Sequence, residues 1–400
     1  MSKTGSPLLL EGIRVLDFGR VIAGPFVGQI LSDLGADVIK LERFPGGDET
    51  RSYGERKDES AIFTALNRNK RSIAIDLSHP GAIRVLERLL ADADVLVHNF
   101  RHGVMARLHL APEDVWRINP KVVYCGISGF GTTGPLKNKP GNDVIAQAFA
   151  GLMSFTGDPS SPPVRVPVSI GDYTAGLYAT IGILAALVER SVTGRGRMVE
   201  TSLLEGMLAL ESLQIGDFLT KGKLPPRLAS GNLFGQPNQA FPTRDGAVVI
   251  AALNEEMWQR CSRALGHGLA EDPRFRTRQD RFERRDDLAM VIEGITMQMT
   301  TDECITVLER AEVVCSAIND IKAAATHPQV DALGILQGFS DDSRPETVGT
   351  PLVVDGTRAR PRRRPPKLGV DTDAILADIG FTQQEIAALH ATGAIARTTA

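Results

Sequence analysis

The sequence predicts an α/β protein, with a large domain built on a mainly parallel sheet and a smaller α+β domain formed by the middle of the chain. Two patterns predict this architecture. From Ile13 onward, short β-branched runs alternate with helical patterns, and a lysine-, glycine- and proline-containing break at 221–226 precedes a shorter strand and three helical patterns. Because parallel strands are joined by crossover helices, the alternation indicates a sheet covered on both faces.

Each strand of the large domain is predicted from a short apolar run that ends at a polar or glycine-containing loop. These runs are residues 14–18, 37–42, 71–77, 94–98, 122–127 and 198–200. Apolar residues at helical spacing predict helices over 25–34, 80–91, 175–188 and 203–220. Since ligands of open parallel sheets bind at the carboxyl ends of the strands, the loops that follow these runs form the expected ligand-binding edge.

The middle of the chain has a different pattern. After the break come a glycine-bearing loop at 231–237, a strand over 247–253 and helices over 255–265, 285–299 and 301–311. A proline- and arginine-rich stretch at 351–366 is predicted to be extended, and the tail contains two short helices, 372–379 and 382–390. The expected arrangement is therefore a small domain followed by a connecting segment and a terminal return.

The composition is that of an ordinary soluble protein. The 400 residues are 42% hydrophobic and 23% charged, and a net charge of −3 provides no basic field for nucleic acid. The four cysteines form no CxxC pair, which predicts a reducing compartment. No secretory segment is recognisable, and the apolar stretch 175–188 is shorter than a membrane span. We therefore expect a cytoplasmic protein without nucleic-acid or membrane partners.

Four common ligand-binding or catalytic motifs are missing or incomplete. There is no GxxxxGK[ST] sequence, and the glycine-rich stretch 125–135, although residues 129–134 have GxGxxG spacing, leads into Pro135 rather than into a helix. That stretch nearly spells the GxSxG nucleophile elbow, but Phe130 stands where the last glycine belongs. His98 and His102 have HxxxH spacing, yet the pair begins at a predicted strand end and lacks the glutamate of HExxH. A metal site is therefore not expected.

A single carboxylate stands out at the start of the most apolar helix. Asp172 follows Gly171, between a short apolar run and the helical stretch. Such an aspartate caps helices by accepting bonds from the first free N–H groups, and it can also act as a nucleophile that forms acyl intermediates. Both interpretations stay open on local grounds. Arginines near strand ends, at positions 20, 43, 101 and 107, suit a phosphorylated ligand because guanidinium groups bind phosphate bidentately.

An ordered series of segments resembles a known family. The segments are LDF at 16–18 with AGP at 23–25, LGADVIKLER at 34–43, NRNKRSI at 67–73, HNF at 98–100, SGFG at 128–131 with GP at 134–135, GD at 171–172, TGRG at 193–196 and PKLG at 366–369. Together they are similar to the class III CoA-transferases, which include formyl-CoA transferase, carnitine CoA-transferase and succinyl-CoA-dependent dicarboxylate CoA-transferases. The resemblance extends over nearly the whole chain.

The resemblance implies that Asp172 is the catalytic nucleophile. Its carboxylate would attack an acyl-CoA thioester to give an aspartyl–acyl anhydride, and the released thiolate would then form an aspartyl-CoA thioester. The acceptor acid would reverse the sequence. N–H groups at the helix start would stabilise the oxyanions, an effect typically worth roughly 3 kcal/mol per donor. CoA thioesters would be substrates, and no permanently bound cofactor or metal is expected.

The same resemblance implies a set of CoA contacts along the strand ends. The residues expected to bind CoA are Val21, Ile22, Ala23, Arg43, Ile75, Asn99, Phe100, Arg107, Lys139, Gly141 and Asn142. Gly235 and Gln236 correspond to a loop that closes over the intermediate, although this chain has one glycine where formyl-CoA transferase has several. Ile22 replaces the glutamine of the formyl- and oxalate-specific enzymes, which favours other acceptors.

The family also contains α-methylacyl-CoA racemases, which are the main alternative. Racemisation requires acid–base groups at the α-carbon, and the racemases supply a histidine and a glutamate where this chain has Asn142 and Asn254. The transferase is therefore favoured, with succinyl-CoA as donor and a dicarboxylate or hydroxy acid as acceptor. A non-catalytic CoA-binding protein is a remote third interpretation.

The family's fold sets further expectations. Each chain would form an open ring threaded through its partner, giving an interlocked homodimer with a Rossmann-like large domain. The domains are expected at 1–222 (large, CoA-binding and carrying the catalytic aspartate), 223–330 (small, with the glycine loop) and 331–400 (linker and return to the large domain).

Overall fold

The structure is a computed structural model that describes residues 8–54, 60–232, 235–339 and 345–396. Within these residues the strands are β1 (Arg14–Asp17), β2 (Asp37–Glu42), β3 (Arg71–Ile75), β4 (Val95–His98), β5 (Val123–Ser128), β6 (Met198–Ser202), β7 (Asn238–Pro242), β8 (Ala247–Ala251), β9 (Val314–Ala317), β10 (Leu336–Gln337), β11 (Thr347–Val348), β12 (Val353–Val354), β13 (Thr357–Arg358) and β14 (Ile395–Ala396).

The helices of the described residues cover both faces of the main sheet and most of the middle of the chain. They are α1 (Ala23–Asp33), α2 (Ala61–Asn67), α3 (Pro80–Ala91), α4 (Val104–Arg107), α5 (Pro112–Ile118), α6 (Asp143–Ala150), α7 (Leu152–Phe155), α8 (Ile170–Thr193), α9 (Leu203–Leu210), α10 (Ser212–Lys221), α11 (Glu255–Leu265), α12 (Arg278–Glu283), α13 (Arg285–Thr296), α14 (Thr301–Arg310), α15 (Ile321–Ala325), α16 (Pro328–Leu333), α17 (Thr372–Asp378) and α18 (Gln383–Ala391).

The main sheet has the order β14-β3-β2-β1-β4-β5-β6. Strands β1 to β6 pair in parallel, and β14 adds an antiparallel edge beside β3. Consecutive residues Val15 and Leu16 are both fully buried, as expected for a strand covered on its two faces. The prediction of an α/β fold with a mainly parallel sheet is confirmed.

The direction in which strands are added reverses at β1. The chain first builds β2 and β3 on one side of β1, and then β4, β5 and β6 on the other side. The loops after β1 and β4 therefore leave the sheet next to each other and diverge, which opens a crevice at the carboxyl ends of these strands.

The chain divides into two compact units. The larger comprises Met1–Leu152, Arg165–Leu224 and Gln329–Ala400, and the smaller comprises Met153–Val164 and Pro225–Pro328. The segment Met153–Val164 was expected in the large domain. It belongs with the smaller unit because the Arg227 guanidinium donates to the carbonyls of Ser154 and Ser161, at 2.9 and 2.5 Å. Such contacts between distant segments leave no pattern in the sequence.

The smaller unit is an antiparallel sheet covered by helices. Strands β7, β8 and β9 pair in that order, and α11, α13 and α14 contribute to one apolar core with the sheet. Cys261 and Cys304 are fully buried in this core, and Cys315 packs against it. Cysteines that are scattered in the sequence are thus collected in one hydrophobic cluster.

Helix α8 differs most from its prediction. It begins at Ile170, five residues before the predicted start, so the short apolar run before Gly171 is not a strand. Its 24 residues are long and apolar enough to cross a membrane, so the length argument from the sequence was wrong. The helix packs on α1, α9, β5 and β6. Gly176 permits close packing, because a Cβ there would lie 2.8 Å from Phe26.

Two other predicted elements are interrupted. The helix predicted over 203–220 is divided into α9 and α10 at Glu211, and the extended stretch 351–366 contains the short hairpin of β12 and β13. The two tail helices are present as α17 and α18. The chain then ends its described part in β14, on the main sheet.

Candidate active site

A cavity of about 570 Å³ opens at the carboxyl ends of the parallel strands in the larger unit. It is lined by residues 18–21 after β1, 40–43 and 47–49 at the end of β2, Leu77, residues 99–102 and 104 after β4, 127–129 at the end of β5, 137–142, Asp172 and Leu203. This volume lies within the range of pockets that hold organic ligands. The strand ends predicted to bind the ligand do line one cavity.

Asp172 is the third residue of α8 and lies in the helix's first turn. Burial and the nearby Asp143 carboxylate raise its pKa to about 7. A helix N-terminus alone would favour the ionised form, so desolvation and like-charge repulsion outweigh the dipole here. Asp172 therefore keeps its proton to a higher pH than an exposed aspartate does.

The helix-cap interpretation of Asp172 is not supported. The side chain accepts no hydrogen bond from any residue that the structure describes. The N–H groups of Ile170, Gly171 and Tyr173 donate to Val168 O, Asp143 Oδ1 and Ser169 O. Three of the donors expected to stabilise an oxyanion are therefore already engaged.

The loop after β1 is folded tightly against the loop after β4. A Cβ at Gly19 or Gly24 would lie 2.6 Å from the other glycine's backbone, so neither position accepts a side chain without movement. Asn99 holds the loop by accepting from Arg20 N–H at 2.8 Å and donating to Arg20 O at 2.7 Å. The amide of Asn99 is thus committed to the loop, although the residue lines the cavity as predicted.

Charged side chains are buried beneath this loop. Lys70 donates to Asp17 Oδ2 at 2.7 Å, with both side chains fully buried. Lys40 contacts Asp48 at 2.9 Å and donates to Gly19 O at 2.8 Å. Burial would raise the pKa of Asp48, but Lys40 and hydrogen bonds from Thr50 lower it to about 2. These pairs fix the floor of the cavity.

The cations at the cavity fall into two groups. Arg20 is neutralised by a two-bond pair with Glu49. Arg43 is exposed and lines the cavity without a carboxylate partner among the described residues. Arg101, Lys137 and Lys139 also line it, and Lys139 lies 5.4 Å from the ring centre of Phe130. Arg43, Arg101, Lys137 and Lys139 form the second group, which is suited to bind an anionic ligand.

Four more predicted residues lie at the cavity. Val21 follows Arg20 in a left-handed conformation with φ of 65°. Phe100 stacks on His98. Burial lowers the pKa of the His98 imidazole to about 4. Gly141 comes close to Gly129, where an added Cβ would lie 3.0 Å from the Gly141 Cα. Asn142 caps α6 by accepting from Ile145 N–H at 3.2 Å.

Four predicted contacts are not found at the cavity. Ile75 and Ala23 are fully buried, Ile75 in the sheet core beside β14, so their side chains do not reach a ligand. Ile22 is half-buried at the start of α1, and Arg107 is exposed at the end of α4. Neither is among the residues that line the cavity. A motif does not reveal which of its side chains are buried in the core.

Gly235 and Gln236 belong to the smaller unit. Gly235 has φ of 84° and lies against Ala252 and Leu253, where a Cβ would meet backbone atoms at 2.9 Å. The Gln236 side chain is buried and donates to Asn232 O at 2.8 Å. Their role in closing over an intermediate stays a prediction.

Several lining residues were missed. Lys40, Leu77, Lys137 and Leu203 line the cavity, and Asp143 lies beside Asp172. Lys40 stands inside an apolar strand run, and a buried lysine in a strand is unusual enough to have signalled a paired site. The positions of the others depend on how loops fold back. No three His, Cys, Asp or Glu side chains of the described ranges are grouped to hold a metal ion.

Comparison with known proteins gives a consistent result. The family model described as "CoA-transferase family III" matches residues 10–372. A succinate–glutarate CoA-transferase of Agrobacterium fabrum is 35% identical, over 92% of this chain and 95% of its own length. An acetyl-CoA:oxalate CoA-transferase of Acetobacter aceti is also 35% identical, over 90% and 92%. The crystal structure of a CAIB/BAIF family protein from Brucella suis superposes with a TM-score of 0.84, at 34% identity, over 94% of this chain and 100% of that one.

Proposed function

Because the chain belongs to the class III CoA-transferase family, we propose that it moves CoA from an acyl-CoA donor to a carboxylic acid acceptor with Asp172 as the nucleophile. One observation carries the assignment of Asp172. It is a carboxylate without a hydrogen-bond or ion-pair partner among the described residues, it lines the cavity, and its pKa is raised to about 7 by burial and by Asp143. Structural carboxylates at the same cavity are paired instead.

The ionised Asp172 attacks the carbonyl carbon of the donor thioester. A C–O bond forms, the C–S bond breaks, CoA leaves as a thiolate, and the acyl group remains on Asp172 as a mixed anhydride. The thiolate then attacks the aspartyl carbonyl carbon, and the donor acid leaves as a carboxylate when the anhydride C–O bond breaks. The acceptor carboxylate reverses both steps on the aspartyl-CoA thioester, so no net proton is consumed. An anhydride keeps the acyl group reactive enough for the thiolate to return.

The CoA moiety binds along the strand ends. Arg43, Arg101, Lys137 and Lys139 are cations positioned for its phosphates, and Phe100 and Leu77 offer apolar surface. Val21, Gly141 and Asn142 complete the loops around it. Ligand burial in such a concave site combines apolar contact with a few oriented polar groups.

Succinyl-CoA is the favoured donor, and a dicarboxylate or hydroxy acid is the favoured acceptor. By the sequence resemblance, Ile22 stands in place of the glutamine of oxalate-specific enzymes. Its side chain does not line the cavity, so the choice rests on the resemblance. Relatives named for glutarate and for oxalate have the same identity to this chain, so the preference depends on local residues.

The proposed assembly is an interlocked homodimer with a Rossmann-like large domain, located in the cytoplasm. The strand order of β1 to β6 supports the domain assignment. Apolar side chains on α8 and α10, including Leu177, Ile181, Val188, Leu213 and Leu219, are 49 to 74% exposed in the single chain. A surface of this kind is typical of a subunit interface.

A racemase is the second candidate, and the geometry disfavours it. The two positions that would supply its acid–base groups are Asn142 and Asn254, which cap α6 and α11. A carboxamide does not titrate near neutral pH, so it cannot serve as the acid or the base at an α-carbon. A non-catalytic CoA-binding protein remains a remote alternative, against which the family and the unpaired Asp172 both argue.

Purified protein incubated with succinyl-CoA or acetyl-CoA and a panel of acids is expected to yield new acyl-CoA thioesters by mass spectrometry. Asp172→Ala should abolish this exchange while circular dichroism and sedimentation stay unchanged, and Asp286→Ala, an exposed change on α13, should have no effect. Full exchange by Asp172→Ala would contradict the proposal. Solvent deuterium at the α-carbon without acyl exchange would identify a racemase instead.

A further inference from the structure

Helix α6 has two buried polar side chains that face the start of α8. Asp143 and Gln147 are 7% and 0% exposed and lie one turn apart on α6. Asp143 Oδ2 accepts from Gln147 Nε2 at 2.7 Å. Since buried polar groups cost stability unless they are satisfied, their remaining contacts indicate what they support.

Asp143 caps a helix other than its own. Its Oδ1 accepts from Gly171 N–H at 2.8 Å, and Gly171 immediately precedes Asp172. The residue that normally performs this task, Ser169 at the start of α8, makes no side-chain cap bond. A Cβ at Gly171 would lie 3.1 Å from the same oxygen, so the glycine allows the two elements to approach.

Gln147 holds the segment that leads into α8. Its Oε1 accepts from Val166 N–H at 2.9 Å, and its Nε2 donates to Val166 O at 3.1 Å. The backbone is thus fixed on both sides of the turn, by Gln147 before α8 and by Asp143 within its first turn. Together they restrict the position of the Asp172 Cα.

The charge environment of Asp172 is dominated by one neighbour. The elements packed against α8 carry the titratable groups Asp33 on α1, Asp143 on α6, Glu205 on α9, Tyr124 and Cys125 on β5 and Glu200 on β6. Asp33 is paired with Arg68, and Glu205 accepts from Ser202. Tyr173 is adjacent on α8, and the cavity adds Arg20, Lys40, Glu42, Arg43, Asp48, Glu49, Arg101, His102, Lys137 and Lys139. Of all these groups, Asp143 is the one whose charge raises the pKa of Asp172.

We propose that Asp143 and Gln147 are positioning residues for Asp172, fixing the backbone that carries it and keeping a second carboxylate beside it. This inference rests on the proposed function, because it takes Asp172 as the nucleophile. Repulsion from Asp143 disfavours the free Asp172 carboxylate but not its neutral anhydride or thioester. The arrangement therefore favours acylation of Asp172.

The test compares Asp143→Asn, Gln147→Met and the double variant Asp143→Asn/Gln147→Glu with wild type. Asp143→Asn should move the acid limb of the kcat/KM profile down by about one pH unit, because a like charge is removed. It should also lower kcat about tenfold at pH 8. Gln147→Met should lower kcat about tenfold with KM for the acyl-CoA changed less than about twofold. In the double variant the amide at 143 donates to the carboxylate at 147, the reverse of the wild-type hydrogen bond. It should recover part of the kcat that Asp143→Asn loses.

Asp373→Asn is the matched control, since Asp373 lies in the first turn of α17, away from the cavity. It should leave both the acid limb and kcat unchanged. An unmoved acid limb in Asp143→Asn, or in Asp143→Ser if the asparagine variant does not fold, would overturn the inference. A loss in kcat/KM of Gln147→Met that came from a higher KM, with kcat unchanged, would also overturn it. If Asp172→Ala retained full exchange, the proposed function itself would fail, whatever these variants show.

Discussion

Two carboxylates at the same cavity, Asp48 and Asp172, have opposite electrostatic environments. Asp48 lies beside Lys40 and accepts from Thr50, and these partners lower its pKa to about 2 despite burial. Asp172 has Asp143 as its charged neighbour, and burial and that neighbour raise its pKa to about 7. Burial alone would raise the pKa of both groups. The partners therefore decide which carboxylate is structural and which is available for chemistry.

The largest expected effect comes from breaking the second buried carboxylate–lysine pair beneath the same loop, Asp17–Lys70. Lys70→Met removes the ammonium that donates to Asp17, and both side chains are fully buried. We expect a loss of about 3–5 kcal/mol in the free energy of unfolding, because an uncompensated charge is left in the interior. Urea denaturation at pH 7 measures it.

Arg117→Met is the control for this change. Arg117 pairs with Asp114 on α5, with the arginine side chain exposed, and a surface pair of this kind contributes less than about 1 kcal/mol. Equal losses in the two variants would mean that burial adds nothing to the Asp17–Lys70 pair.

The next effect concerns Asp172, the carboxylate without a hydrogen-bond or ion-pair partner among the described residues. The pKa of Asp172 rises from its ordinary value of 3.8 to about 7 on folding. Between these pH values the native chain keeps a proton that the unfolded chain releases, so stability falls as pH rises through this window. Asp172→Asn lacks this group. Its free energy of unfolding relative to wild type should therefore rise by ~2 kcal/mol from pH 4 to pH 8, a figure reduced for the residue's partial exposure.

Urea denaturation of both proteins at pH 4, 6 and 8 checks this difference. Asp114→Asn, on exposed α5, should follow wild type at every pH. A constant difference between Asp172→Asn and wild type across the series would show that Asp172 has an ordinary pKa.

A smaller effect distinguishes the free cation from the paired one. Arg43 lines the cavity without a carboxylate partner in the described ranges, whereas Glu49 neutralises Arg20. Arg43→Gln should raise KM for the CoA thioester about tenfold with kcat nearly unchanged, because it removes uniform binding. Steady-state kinetics at low and high salt measures this. Arg117→Gln on α5 should leave KM at its wild-type value, and an unaltered KM in Arg43→Gln would exclude a phosphate contact.

The smallest effect tests a core residue that the motif had assigned to CoA. Ile75 is fully buried in the sheet core. Ile75→Val should cost about 1 kcal/mol of stability, as expected for loss of one buried methylene. Its KM should stay within the error of wild type in the same kinetic assay. A severalfold rise in KM would restore Ile75 as a ligand contact.

The sequence by itself determined the α/β class, six strands of the parallel sheet, the family and the candidate nucleophile. These follow from local patterns. Apolar periodicity reflects burial, and short ordered segments such as Gly171-Asp172 can be recognised before the fold is known. Val21, Arg43, Phe100, Lys139, Gly141 and Asn142 were also assigned to the cavity that they line.

Only the tertiary structure decided what surrounds those residues. Ile75 and Ala23 point into the core because of strand pairing and the packing of α8 on α1. Asp143 bonds to Gly171 of α8 across 28 residues, and Gln147 bonds to Val166, before α8, across 19 residues. Arg227 joins 153–164 to the smaller unit. The pKa of a carboxylate depends on the distance to such partners and on burial, and neither quantity is encoded in the residues next to it.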